Sequence, residues 1–364
     1  MNNNETQQNE TQQMNFAVVE PRSAAIPKPV EKKSYGSGKY VTYGEDNAYP
    51  DFLLRCYEEC STLQSIINGL ADYVAGAGFV TGDAERIVNE KRETYLSLVQ
   101  RAVVDYIIYG AISVGVRRDA GEHAIKFLDY HDTRTIRLDE EADTAFFCKD
   151  WTKSTRKVVK IPIFNPRNKA EDRSEMYVKA PASRSLYGRP MWGSAVKDVM
   201  TAMEISTFHL SAILNNFVPS GVVNFNNGQP SEDMQKEIER RLNNKFSGAQ
   251  NAARLLVCFN DSKDHATTLQ RLAEDNFDQR YNALAKSVKE NIFISFRAHP
   301  QLFGADPERQ GFNSVEYEQT FKLFKETVVR PLQRQIEAAF ATLGSEWEFT
   351  LAEFNINFGK EATE

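Results

Sequence analysis

Two long helical stretches, residues 193–217 and 276–296, constrain this chain more than any other feature. The first reads GSAVKDVMTAMEISTFHLSAILNNF; at about 1.5 Å per residue it makes a rod roughly 36 Å long. In the second, Phe277, Tyr281, Leu284, Ala285, Val288, Ile292 and Phe293 recur mostly at spacings of three or four, which predicts a helix with one apolar stripe. The insertion between them reads as a strand at 222–225, a helix at 234–246 introduced by Pro230-Ser231-Glu232-Asp233, and a strand at 254–259.

The flanks fill in the rest. Apolar spacing over 51–77 predicts helix, with a short break after which Ser61 caps a second segment, and Gly76-Ala77-Gly78 as the stop. A further helix is expected over 85–109, closing at Gly110. From 111 to 164 the period changes to two: Ile112, Val114 and Val116 alternate, as do Ile125 with Phe127 and Ile136 with Leu138, and short runs follow at 145–148 and 158–161. Residues 165–180 are polar and charged and read as a loop. After the second long helix, a loop is expected over 297–313, then a third helix from Ser314 to about Leu343, kinked at Pro331. A last strand over 348–358 alternates Phe349, Leu351, Phe354, Ile356 and Phe358. The class is α+β.

Residues 1–39 differ in kind. The pentad Asn-Glu-Thr-Gln-Gln occurs twice in tandem, followed by PKPVEKK. So little apolar surface cannot offset the entropy of ordering, and a disordered arm is expected. It has no apolar core of a signal peptide, and no run in the chain is apolar and long enough to suggest a membrane span.

Chemistry is hard to find. The 364 residues carry a net charge of -6, so no global basic signature marks a protein that grips nucleic acid by its phosphates. The four cysteines, Cys56, Cys60, Cys148 and Cys258, lack the extra ligands of a zinc site and suit a reducing cytoplasm. The five histidines sit in no catalytic motif; His131-Asp132 is the nearest thing to a pair. There is no Gly-rich phosphate loop. Asp139-Glu140-Glu141 and Glu353 read as solvated turns rather than metal ligands. No cofactor, metal or catalytic residue is assigned, and the chain is not expected to be an enzyme.

Four stretches in order carry a resemblance. The first is Tyr43-Gly44-Glu45-Asp46-Asn47-Ala48-Tyr49-Pro50, with Ile66-Ile67-Asn68-Gly69 and Gly76-Ala77-Gly78-Phe79. The second is Tyr187-Gly188-Arg189-Pro190; the third is Asn215-Asn216-Phe217-Val218-Pro219-Ser220-Gly221-Val222-Val223. The fourth is His299-Pro300-Gln301-Leu302-Phe303-Gly304, then Phe312-Asn313-Ser314-Val315-Glu316. Over about residues 40 to 358 the chain resembles the portal proteins of tailed double-stranded DNA phages. His299 stands where that family commonly has Val, and the chain stops soon after the last strand, so little or no crown is expected.

The resemblance implies a ring of about twelve subunits at one capsid vertex, assembled in the host cytoplasm and carried in the virion. Residues 40–192 would be the wing, 193–217 the first stem helix, 218–270 the clip, 271–296 the second stem helix, 297–313 the channel loop, and 314–364 the kinked helix with a C-terminal wing strand. Double-stranded DNA would pass through the channel; terminase large subunit, a head–tail connector and the major capsid protein would dock outside it, with no membrane involved. Lys286 and Lys289, off the apolar stripe, either face DNA or are merely solvated. Arg297, Gln301, Phe303, Arg309 and Gln310 on the loop either touch DNA or tuck against the wing. Asn226, Asn227, Lys236 and Arg240 are the candidates for partner docking on the clip. The alternatives are a minor capsid or connector protein, which would lack two long helices around an insertion, and a nucleic-acid-processing enzyme, which would need clustered carboxylates or a phosphate loop.

Overall fold

The computed structural model describes residues 26–33, 39–119, 124–153, 157–167, 174–180, 185–214, 221–225, 230–231, 233–238, 240, 255–259, 277–304 and 314–356. Strands β1 (Glu31–Lys33) and β2 (Val41–Tyr43) precede helices α1 (Tyr49–Glu59) and α2 (Ser61–Ala75), then β3 (Phe79–Thr81) and α3 (Tyr95–Tyr109). Six strands follow: β4 (Ile112–Arg118), β5 (Ile125–Tyr130), β6 (Ile136–Leu138), β7 (Thr144–Phe147), β8 (Val159–Pro162) and β9 (Ser174–Lys179). The remaining elements are α4 (Val196–Leu214), β10 (Gly221–Phe225), β11 (Leu255–Phe259), α5 (Phe277–Ser295), α6 (Ser314–Phe324), α7 (Arg330–Ala341) and β12 (Thr350–Leu351).

The main core lies where α1, α2 and α3 pack beside the three-stranded sheet β5-β4-β9 and the C-terminal helix α7. The central strand β4 is flanked by antiparallel partners on both sides, and its Ile112, Val114 and Val116 are buried. A second antiparallel sheet, β6-β7-β8, carries the buried Phe146 and Cys148, which cluster with Tyr40 and Trp151. Trp192, Trp347, Phe296 and Phe340 fill the centre with almost no exposed surface.

Several expectations are corrected. The β1 segment, assigned to a disordered arm, pairs antiparallel with β2, because Val30 and Glu31 find partners in the folded part of the chain. Ser61 is the first residue of α2, not its cap; Cys60 holds the cap position. The helix expected from 85 begins only at Tyr95: Arg92 takes a positive φ of 60°, and Thr94 caps the helix by accepting a hydrogen bond from the Ser97 N–H. The loop over 165–180 contains β9, whose Met176 and Tyr177 are buried against the core. The last strand shrinks to β12, yet Phe349 and Leu351 stay buried and the alternation survives. The irregularity at Pro331 is a π-helical turn over Lys325–Val329, immediately before the proline. Proline lacks the N–H that would bond one turn back, so the helix widens there.

Candidate functional site

Helices α4 and α5 run side by side as a pair. At one end they are tied into the core: Val199, Val288, Ile292, Phe293 and Phe296 are buried, and the Trp192 indole N–H donates to the Ile107 carbonyl at 3.1 Å. Asn291 Nδ2 donates to Asp198 Oδ1 at 2.9 Å, a polar clasp across the pair. Farther along, Tyr281 packs on Phe208 and His209, with ring centroids 5.2 and 5.1 Å apart. Around this contact Phe208, Leu210 and Leu284 are exposed; nearer the core, beside the buried Phe293 and Phe296, Ile294 is exposed by 68%. On α6, Val315 and Leu323 are exposed by 60% and 66%. Large apolar side chains exposed along neighbouring helices mark a surface built to be covered.

The loop after α5 is more structured than its sequence suggests. Arg297 turns the chain with φ 53° and is exposed; Pro300–Phe303 form a 3-10 turn, and Gly304 closes it at φ 67°. His299 caps that turn, its Nδ1 accepting from the Gln301 N–H at 3.4 Å. This gives a role to the histidine in place of the family's usual valine. The Tyr73 hydroxyl donates to the Leu302 carbonyl at 2.6 Å. Phe303, for which channel contact and packing against the fold both stood open, packs inward. Its ring lies 5.7 to 5.9 Å from those of Tyr73, Phe293 and Phe324, over Gly69 of α2, where a Cβ would sit 2.7 Å from it. The 3-10 turn directs the ring onto α2 and α6, and Gly69 makes the space.

Of the other predicted residues, Lys286 is exposed and Lys289 half-buried, both on α5, and Gln301 is half-buried. Lys236 is exposed on a helical stretch over 233–238; Arg240 is exposed and pairs with Glu237 at 3.0 Å. Asn226, Asn227, Arg309 and Gln310 lie outside the described residues, as do residues 241–254. The exposed apolar residues Leu210, Ile294, Val315 and Leu323 went unremarked in the sequence. Ile294 lies off the apolar stripe of α5, a legible signal.

The remaining candidates have structural partners. Asp132 accepts hydrogen bonds from Arg134 rather than engaging His131. Asp139 holds a turn by accepting from the Asp143 and Thr144 N–H groups, Glu140 pairs with Lys33, and Glu353 bridges Lys325 and Arg330. Burial pushes the Cys56 thiol up to about 12, which leaves it protonated and unreactive near neutrality. Among the described residues no cluster of three His, Cys, Asp or Glu side chains could hold a metal ion, and no helix is long and apolar enough to cross a membrane.

Known proteins sharpen this picture. A chain in the neck of an empty gene transfer agent particle superposes with a TM-score of 0.51 at 15% identity, covering 87% of each chain. A chain of the native gene transfer agent virion does so at 0.51 and 14% identity, covering 87% of this chain and 86% of that one. An HK97-family phage portal protein from Corynebacterium diphtheriae gives 0.50 at 12% identity, covering 81% of this chain and 93% of that one. At such identities these matches speak for the fold alone. No curated protein matches the sequence. The sequence model described as phage portal protein matches residues 83–358, from the segment before α3 through both long helices to the C-terminal segment. A match over most of the chain, on a fold shared with a solved portal, settles the matter: this chain belongs to the phage portal protein family.

Proposed function

We propose that the chain forms a ring of about twelve copies at one vertex of a phage capsid, and that double-stranded DNA passes through its axis during packaging and ejection. Membership of the portal family carries this reading, and the bare apolar surface on α4, α5 and α6 supports it. Leu210, Ile294, Val315 and Leu323 are 58 to 68% exposed in a single chain, which an adjacent copy would cover. The ring assembles in the host cytoplasm and stays in the virion.

Residues 218–270 are the clip in this reading. They dock the terminase large subunit while DNA enters and the head–tail connector afterwards, with Asn226, Asn227, Lys236 and Arg240 as contact residues. The wing meets the major capsid protein. Lys286, Lys289, Arg297, Gln301, Arg309 and Gln310 line the DNA path. Phe303 is left out of that set because its ring anchors the loop to the wing. A few cations on an acidic chain suit sliding contact, since each phosphate neutralised adds salt-dependent grip.

Deleting 218–270 tests the docking assignment. Capsids are expected to form and to stay empty of DNA, read by gradient sedimentation and nuclease protection. Normal filling would remove the clip from the mechanism.

A further inference from the structure

The turn at residues 185–190, which delivers the chain to the first long helix, is held by a residue from the far end of the sequence. The Glu31 carboxylate accepts hydrogen bonds from the Leu186 N–H at 3.3 Å and the Tyr187 N–H at 3.2 Å. It also lies 3.6 Å from the Arg189 guanidinium and is itself largely buried, at 21% exposure. These two N–H groups belong to an irregular turn with no strand neighbour to satisfy them, so a charged acceptor is worth more here than a neutral one.

Glu31 is in turn fixed by its surroundings. β1 pairs with β2 from Glu31↔Tyr43 to Lys33↔Val41, and the Val30 carbonyl accepts from the Gly44 N–H at 2.8 Å. Lys33 reaches Glu140 at 2.6 Å. The strand beneath grips the same turn. The Tyr43 hydroxyl donates to the Gly188 carbonyl at 2.5 Å, and the Tyr43 and Tyr187 rings stack at 4.5 Å with 5° between their planes. The Tyr187 hydroxyl donates to the Val41 carbonyl and accepts from the Leu138 N–H. From this turn the chain passes through Trp192 into the 3-10 turn Gly193–Ala195, whose Gly193 and Ala195 N–H groups bond to the Pro190 and Trp192 carbonyls, and then directly into α4.

We propose that residues 28–33 are a strap that sets the direction in which the first long helix leaves the wing, with Glu31 as the positioning residue that latches it. The strap acts at the junction of wing and helix, far in sequence from the helix it controls. An event that peels residues 28–33 from β2 would therefore loosen the helix base without unfolding the wing.

Hydrogen exchange on the full-length chain tests this, comparing the parent with Glu31→Gln and Glu31→Ala. Glu31→Gln keeps the shape and one acceptor oxygen, so it guards against a variant that misfolds. The strap predicts exchange about tenfold to a hundredfold faster at Leu186 and Tyr187 in Glu31→Ala, with a smaller effect in Glu31→Gln. It also predicts faster exchange at Gly193 and Ala195, while Val114 and Val116 in β4 keep their protection. Unchanged exchange at all four turn amides would overturn it. So would faster exchange at Leu186 and Tyr187 with Gly193 and Ala195 unaltered, since the latch would then be local. A uniform rise across the wing would overturn it too, by reducing Glu31 to a contributor to general stability.

Discussion

Gly110 and Gly188 meet backbone to backbone. A Cβ on Gly188 would lie 2.3 Å from the Gly110 carbonyl oxygen, and a Cβ on Gly110 would lie 2.3 Å from the Arg189 carbonyl oxygen. Gly110 also ends α3 in the left-handed conformation, at φ 76°. The end of α3 and the turn that leads to α4 are therefore locked together with no room for a side chain on either strand of backbone. Gly188→Ala is expected to destabilise the wing by about 3 kcal/mol or more, because the atoms in the way are backbone and cannot rotate aside. A urea midpoint close to that of the parent would contradict this.

Among the described residues Arg137 is the charged side chain with the least exposed surface, none of it accessible. Its guanidinium donates to Asn47 Oδ1 at 2.6 Å, to the Asn47 carbonyl at 2.7 Å, and to the carbonyls of Arg134 and Ile136 at 2.9 and 2.8 Å. It also lies 4.9 Å from the Trp151 ring centroid. Asn47 sits at φ 63°, so the fork holds a strained turn in place. A lysine ammonium is a point charge and cannot serve four acceptors spread over that plane. Arg137→Lys is expected to cost about 2 kcal/mol or more, from the acceptors left unpaired, with faster proteolysis near residue 47. Full retention of stability in Arg137→Lys would show the fork geometry to be unimportant.

Asp105 gives a pH signature. It is buried, its carboxyl accepting from the Tyr130 hydroxyl at 2.8 Å and the Thr133 N–H at 2.9 Å. Burial pushes its pKa up from 3.8 to about 7, against those two hydrogen bonds. The folded protein thus keeps a proton that the unfolded chain releases above about pH 4. Stability from this group falls as pH rises from about 4 to about 7, and is level on either side of that window. In Asp105→Asn this decline disappears. Urea unfolding of both proteins across the window checks it; parallel pH profiles would contradict the assignment.

β4 was legible because its branched Ile112, Val114 and Val116 alternate with the small Ser113 and Gly115, which writes a period of two into the sequence although both faces are buried. The two long helices were legible for the corresponding reason at 3.6. What escaped was set by contacts distant in sequence. Glu31 reads as part of a charged tail, and only the turn at Leu186 and Tyr187 makes it part of the fold. β9 hid in a polar stretch because its buried residues include Glu175 beside Met176 and Tyr177, which breaks the apolar alternation. Phe303 read as an exposed loop aromatic; the vacancy at Gly69 that receives it lies on another helix. On the functional side, the apolar stripe of α5 was plain, but that Leu284 within it stays exposed while Val288, Ile292 and Phe293 are buried followed only from the fold.

Leu210→Glu and Leu323→Glu separate folding from assembly. Both positions are mostly exposed in a single chain, at 58% and 66%, so each change should shift the stability of one chain by only about 0.5 kcal/mol. Buried against another copy, each new carboxylate would be desolvated without a partner. Thermal unfolding of the unassembled chain is expected to stay as in the parent, while the assembled fraction falls at least tenfold by light scattering. Normal assembly in both variants would mean that these faces are not covered in the ring.

The most direct test of the account is the mass and shape of the native particle, by light scattering and negative-stain imaging of the purified full-length chain over a range of concentrations. The account predicts a ring of about twelve copies with an open pore along its axis. A chain that stays monomeric at every concentration, or that assembles without an axial opening, would contradict it.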